Sequence, residues 1–142
     1  MHKSINPDNP VYIIDDSQID TYILRRFIMN HGQFKKVKEF EFAQQALNSI
    51  NKNLQENNFE DYPHIIFLDI NMPDMNGFEF LEKLENFPES LTENIVVIIV
   101  SSSDDPYDLQ IAKSQTSIKH YLKKPVVESD VKSLLDNFIC VK

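Results

Sequence analysis

The sequence predicts a single doubly wound α/β domain, a (βα)5 arrangement with a five-stranded parallel sheet. Three observations carry this. Short apolar runs recur along the chain and each stops at polar residues. Segments with helical apolar spacing separate them. The length, 142 residues, is that of one compact domain with one core. Continuous apolar runs without polar alternation suit strands that helices cover on both faces.

The elements follow in order. Val11-Tyr12-Ile13-Ile14 is the first strand and ends at Asp15-Asp16. Ser17, with Asp20 three residues on, resembles a capping box, and Ile19, Tyr22, Ile23 and Phe27 supply the apolar spacing of a helix that Gly32 stops. Residues 37–40 form a weaker strand. Ala43, Ala46, Leu47, Ile50 and Leu54 mark the second helix. The polar stretch 51–64 ends that helix and forms a long surface loop. Ile65-Ile66-Phe67-Leu68 is the third strand, ending at Asp69. Gly77 precedes a helix carrying Phe80, Leu84 and Phe87, closed by Pro88. Residues 95–100 are the fourth strand, running into Ser101-Ser102-Ser103. Asp105-Pro106 starts a fourth helix as N-cap and first helical position, with Leu109 and Ala112 as its stripe. His120-Tyr121-Leu122 is the fifth strand and meets Lys123-Lys124-Pro125. Val127, Val131, Leu134, Leu135 and Phe138 make the last helix.

Composition narrows function. Acidic residues outnumber basic ones 22 to 14, a formal charge of -8, which opposes attraction to nucleic acid or an anionic membrane. Cys140 is the single cysteine, so neither an internal disulfide nor a cysteine-ligated metal is expected. The polar start has no signal-peptide core, and the run 95–100 is too short to span a bilayer. The expectation is a soluble, cytoplasmic protein. His31, His64 and His120 show no ligand spacing and read as surface or loop residues.

In open parallel sheets, ligands sit beyond the carboxyl ends of the strands. That rule gathers Asp15 and Asp16 from strand one, Asp69 from strand three, Ser101 from strand four and Lys124 from strand five. Clustered carboxylates repel unless a cation offsets them. An all-oxygen set suits Mg²⁺ better than zinc or copper. A lysine and a hydroxyl opposite the metal would contact an incoming phosphoryl group. The implied chemistry is phosphoryl transfer onto a carboxylate, with Asp69, the single acid ending the central strand, as nucleophile. The competing structural readings are a helix cap at Asp15 or Asp16, a turn from Asp69 to Gly77, a loop serine at 101 and a solvated Lys124.

Asp15-Asp16, the run Leu68-Asp69-Ile70-Asn71-Met72-Pro73 with Asp74 to Gly77, Val100-Ser101-Ser102-Ser103 and Tyr121-Leu122-Lys123-Lys124-Pro125 closely resemble response-regulator receiver domains of two-component signalling, over about residues 10 to 140. The resemblance implies a flavodoxin-like domain over 10–142 behind a polar leader over 1–9. It implies that Asp69 accepts phosphate from a histidine kinase or histidine phosphotransfer protein. Asp16 would ligate Mg²⁺ directly, Asp15 partly through water, and Asn71 through its backbone carbonyl. Ser101 would be the switch hydroxyl, where the family often has threonine. Tyr121 would be the aromatic that turns inward on activation, remodelling the surface of the fourth helix, fifth strand and last helix. Lys124, chosen over Lys123 because it directly precedes proline, would pair with Asp69, and Pro125 would hold the turn, often as a cis peptide. The stretch 114–119 lacks the Gly-Ala pair common in the family.

The expectation is therefore a stand-alone signalling receiver and not an enzyme, although it assists its own phosphotransfer and dephosphorylation. It would act through an unknown downstream protein target, as a monomer or as a weak homodimer through the helix 4–strand 5–helix 5 face. The alternatives are a small Mg²⁺-dependent phosphatase with an aspartyl-phosphate intermediate, a flavin mononucleotide binder and a degenerate receiver. The first predicts an acid where Asn71 stands, the second is opposed by the rim's three carboxylates, and the third by the intact acid set.

Overall fold

The apolar runs become strands whose two faces are both covered. The computed structural model describes residues 5–102 and 118–138. Its strands are β1 (Val11–Ile14), β2 (Val37–Phe40), β3 (Ile65–Leu68), β4 (Val96–Ser101) and β5 (Ile118–Lys123). All pair in parallel, in the order β2-β1-β3-β4-β5. Val11 faces Val37 on one side and Ile65 on the other, and Ser101 faces Lys123 across β4 and β5. The helices are α1 (Gln18–His31), α2 (Ala43–Gln55), α3 (Gly77–Leu84), the single turn α4 (Glu89–Thr92) and α5 (Glu128–Phe138).

Strand periodicity sorts the core into two layers. Tyr12, Ile14, Ile66, Leu68, Val97 and Ile99 point to one face and pack with Ala46, Leu47 and Ile50 of α2 and Phe80 and Leu84 of α3. Val11, Ile13, Ile65, Phe67, Ile98 and Val100 point to the other and pack with Leu24 and Ile28 of α1 and Val131 and Leu135 of α5. This two-sided burial is why β1, β3 and β4 carry no polar alternation.

Several elements differ from expectation. In α1 the buried residues are Thr21, Leu24 and Ile28, whereas Ile19, Tyr22 and Ile23 are exposed. Both stripes satisfy helical spacing, and the sheet takes the one whose Leu24 and Ile28 reach Ile13 and Phe67. Val127 lies exposed just before α5. Helix α3 ends at Leu84, and Pro88 opens α4 by accepting the Leu91 and Thr92 N–H groups. The stretch 51–64 is more ordered than a surface loop, because Asn53 and Tyr62 are buried in it. Asn53 donates to the Asp61 carbonyl, and Asn9 donates to the Phe59 and Tyr62 carbonyls, tying the segment before β1 to this turn.

His31 and His120 depart from the surface-or-loop reading, whereas His64 lies in the loop before β3. His31 is buried at the side chain and pairs with Asp136, bridging α1 and α5. His64 accepts the Asn6 N–H, and His120 stacks edge-on against Phe138. The helix expected from Asp105, the stretch 114–117 and Cys140 lie outside the described residues.

The start of α2 has no side-chain cap of its own, since Phe42 occupies the N-cap. Asp74, from the loop after β3, accepts the Ala43 and Gln44 N–H groups at 3.3 and 3.0 Å. Orphan helix donors satisfied by a carboxylate are worth about 1 kcal/mol, so Asp74→Ala should lower stability by about that much in urea titration, with little change in m.

Candidate functional site

The sheet order reverses at β1 and β3, because β1 connects outward to β2 while β3 leads to β4 on the other side. A crevice opens beyond their carboxyl ends. The ladder continues one residue past each strand: Asp15 N–H donates to the Phe40 carbonyl at 3.0 Å, and Asp69 N–H to the Ile14 carbonyl at 2.9 Å. The backbones that carry the two acids are thus fixed by the sheet itself.

Asp15, Asp16 and Asp69 each place one carboxylate oxygen within 4.8 Å of the other two. Asp15 and Asp69 are each only 7% exposed, and Asp16 faces solvent. One oxygen of each buried acid is engaged locally: Asp15 Oδ1 accepts the Ser17 N–H at 2.9 Å, and Asp69 Oδ1 accepts the Asn71 N–H at 3.2 Å. The other oxygens turn to Lys124, whose Nζ lies 2.8 Å from Asp15 Oδ2 and 3.5 Å from Asp69 Oδ2. Gly77 makes the loop after β3 possible. A Cβ there would stand 3.0 Å from the Ile70 Cα and 3.1 Å from the Asp69 carbonyl oxygen, so α3 can start this close only with glycine.

Lys124 follows β5. Its backbone N–H donates to the Ser101 carbonyl at 2.9 Å, and the Lys124–Pro125 peptide is cis. Ser101 ends β4 and is fully buried. Tyr121 lies opposite Ile99 on β5 and is half-buried against the core layer of α2 and α3. The expected residues Asp15, Asp16, Asp69 and Lys124 therefore meet on one rim, with Asn71, Ser101 and Pro125 directly beside them.

Sequence reasoning missed Asp20. Its Oδ2 lies 3.0 Å from Lys124 Nζ. The expected capping box at the start of α1 is half made: Ser17 Oγ accepts the Asp20 N–H at 3.3 Å, but the return bond to Ser17 N–H comes from Asp15. The available signal was Asp20 itself, an acid one helical turn after Asp16, absorbed by the capping reading.

Charge at the rim is unbalanced. Burial, and then the neighbouring charge of Asp15, push the Asp69 carboxyl up to about 6, against the pull of Lys124 and the Asn71 N–H. Burial alone would lower Lys124, but bonds to Asp15 and Asp20 outweigh it and hold the ammonium above its usual range. An all-oxygen set with surplus negative charge and one solvent-facing member fits a hard divalent cation. The donors would be Asp15, Asp16 and Asp69.

A family model for the response regulator receiver domain matches residues 11–136. The chain is 30% identical to the two-component response regulator ARR6 of Arabidopsis thaliana, over 96% of this chain and 73% of that protein. It is 31% identical to protein PilH of Pseudomonas aeruginosa, over 83% and 87% of the two chains. A two-component response regulator from Cytophaga hutchinsonii superposes with a TM-score of 0.80 at 25% identity, covering 92% of this chain and 96% of that one. Among the described residues no helix is long and apolar enough to cross a membrane. Fold, strand order and family model agree, and the chain belongs to the response regulator receiver domains of two-component signalling.

Proposed function

We propose that Asp69 accepts a phosphoryl group from a phosphohistidine of a histidine kinase or phosphotransfer protein, in a Mg²⁺-dependent reaction, and that the phosphorylated domain signals by altered protein contacts. The observation that carries this is the meeting of Asp15, Asp16 and Asp69 within 4.8 Å beside the Lys124 ammonium. The cation, held by the three carboxylates and the Asn71 carbonyl, would offset charge on the transferring group.

The chain's own groups do the rest. Asp69 Oδ1 is fixed by the Asn71 N–H, so the carboxylate is held in one orientation. As an Asp69 oxygen–phosphorus bond forms, the phosphorus–nitrogen bond of the donor's ring-protonated phosphohistidine breaks, and the donor, keeping the proton already on its other ring nitrogen, is left as neutral imidazole. Lys124, already 3.5 Å from Asp69 Oδ2, neutralises the near-dianionic product. Ser101, fully buried at the end of β4, supplies a hydroxyl, and its inward movement would make room for the half-buried Tyr121. That shift of an existing equilibrium is the output. The same groups would assist hydrolysis of the phosphoaspartate.

The test is intact-mass measurement after incubation with acetyl phosphate. One phosphoryl group should add with Mg²⁺ present and none with excess chelator. Equal uptake in both conditions would overturn the metal requirement, and no uptake in either would overturn the acceptor role.

A further inference from the structure

Lys124 is held by more anions than a phosphoacceptor partner requires. Its Nζ lies 2.8 Å from Asp15, 3.0 Å from Asp20 and 3.5 Å from Asp69, so the acceptor has the weakest hold on it. Asp20 is free for this contact because Asp15 Oδ1 already takes the Ser17 N–H, to which a capping-box acid would turn. With its own N–H on Ser17 Oγ, the Asp20 side chain reaches from the first turn of α1 across to the end of β5. Asp20 is not one of the three acids whose carboxylate oxygens lie within 4.8 Å of one another. A cation on that trio would compete with Lys124 for Asp15 and leave the Asp20 contact intact.

We propose that Asp20 is a positioning residue, an anionic tether that holds Lys124 towards α1 and limits its grip on a phosphoryl group at Asp69. The inference rests on the proposed acceptor role of Asp69. Once a cation draws on Asp15, the ammonium is shared between Asp20 and the phosphoryl oxygens, and attraction to one is gained at the expense of the other. Asp20 is 38% exposed at its side chain, so the tether is moderate in strength and can yield.

The test uses the full chain with saturating Mg²⁺ and beryllofluoride, a phosphoryl analogue, followed by calorimetry. Asp20→Asn should bind the analogue about fivefold more tightly, and Asp20→Glu, which keeps the charge, should stay within about twofold of the parent. In a Lys124→Met background the gain from Asp20→Asn should vanish. Equal affinity of parent and Asp20→Asn overturns the tether, and so does a gain that persists without Lys124, since that reports only the removed charge. A crystal structure of metal-free Asp20→Asn gives a readout free of phosphoryl chemistry: the ammonium should close on Asp69 from 3.5 Å to direct hydrogen-bond distance. An unmoved ammonium overturns the tether. Failure of the parent protein to take beryllofluoride or phosphate overturns the acceptor role instead, and the crystal structure then decides the tether alone.

Discussion

Asp69→Asn should take up no phosphoryl group from acetyl phosphate and Mg²⁺, while folding into a metal-free protein more stable than the parent near neutral pH. The two effects share one cause. Asp69 is the carboxylate whose second oxygen faces Lys124, and it is buried beside Asp15, which pushes its carboxyl up to about 6 from an ordinary 3.8. A folded state that holds a proton more tightly than the unfolded chain loses stability when that proton leaves. The cost of ionising Asp69 is therefore absent below about pH 4, grows as pH rises through about 6, and is complete above it. The amide removes that cost. Thermal unfolding in chelator should place the amide variant above the parent by a few degrees near neutral pH, with the gap closing towards about pH 4. A gap that widens on acidification would contradict this origin. Added Mg²⁺ should raise the melting temperature of the parent more than that of the variant, because it offsets a charge the variant lacks.

Lys124→Met should be the most destabilising single change at the rim. The side chain is 13% exposed and contacts Asp15, Asp20 and Asp69. Removing one partner of a buried ion pair leaves the others uncompensated, at a cost of about 3 kcal/mol or more. In a domain of this size that lowers the metal-free melting temperature by about 10 °C. Methionine keeps much of the side chain's length and apolar stem, so the loss reports charge more than volume. Mg²⁺ should restore a larger share of stability to this variant than it adds to the parent, since it replaces the missing positive charge. A variant as stable as the parent in chelator would show that Lys124 and the acids are joined only weakly in solution.

The sheet was legible because the apolar run of each inner strand stops at a polar residue on the rim. Ile14 and Leu68 are fully buried and the next residues are the site acids Asp15 and Asp69, so one apolar-to-polar boundary marks both the strand end and the rim. The helices were less so. Helix α1 offers two stripes of similar spacing, and only the position of the sheet selects Thr21, Leu24 and Ile28 over Ile19, Tyr22 and Ile23. Contacts between distant segments could not be read from local spacing. Asp74 caps α2 from 30 residues away, and Asp20 reaches Lys124 from another edge of the site. For Asp20 a local motif was present and misleading, because the Ser17–Asp20 spacing describes a capping box that Asp15 displaces.

The central claim, that Asp69 is the phosphoacceptor, is most directly tested by trapping the acyl phosphate with borohydride and sequencing the reduced peptides. After acetyl phosphate and Mg²⁺, reduction should convert position 69 to homoserine, and omission of Mg²⁺ should leave the peptide unmodified. Homoserine at any other aspartate, or at none in a fully folded sample, would contradict the assignment.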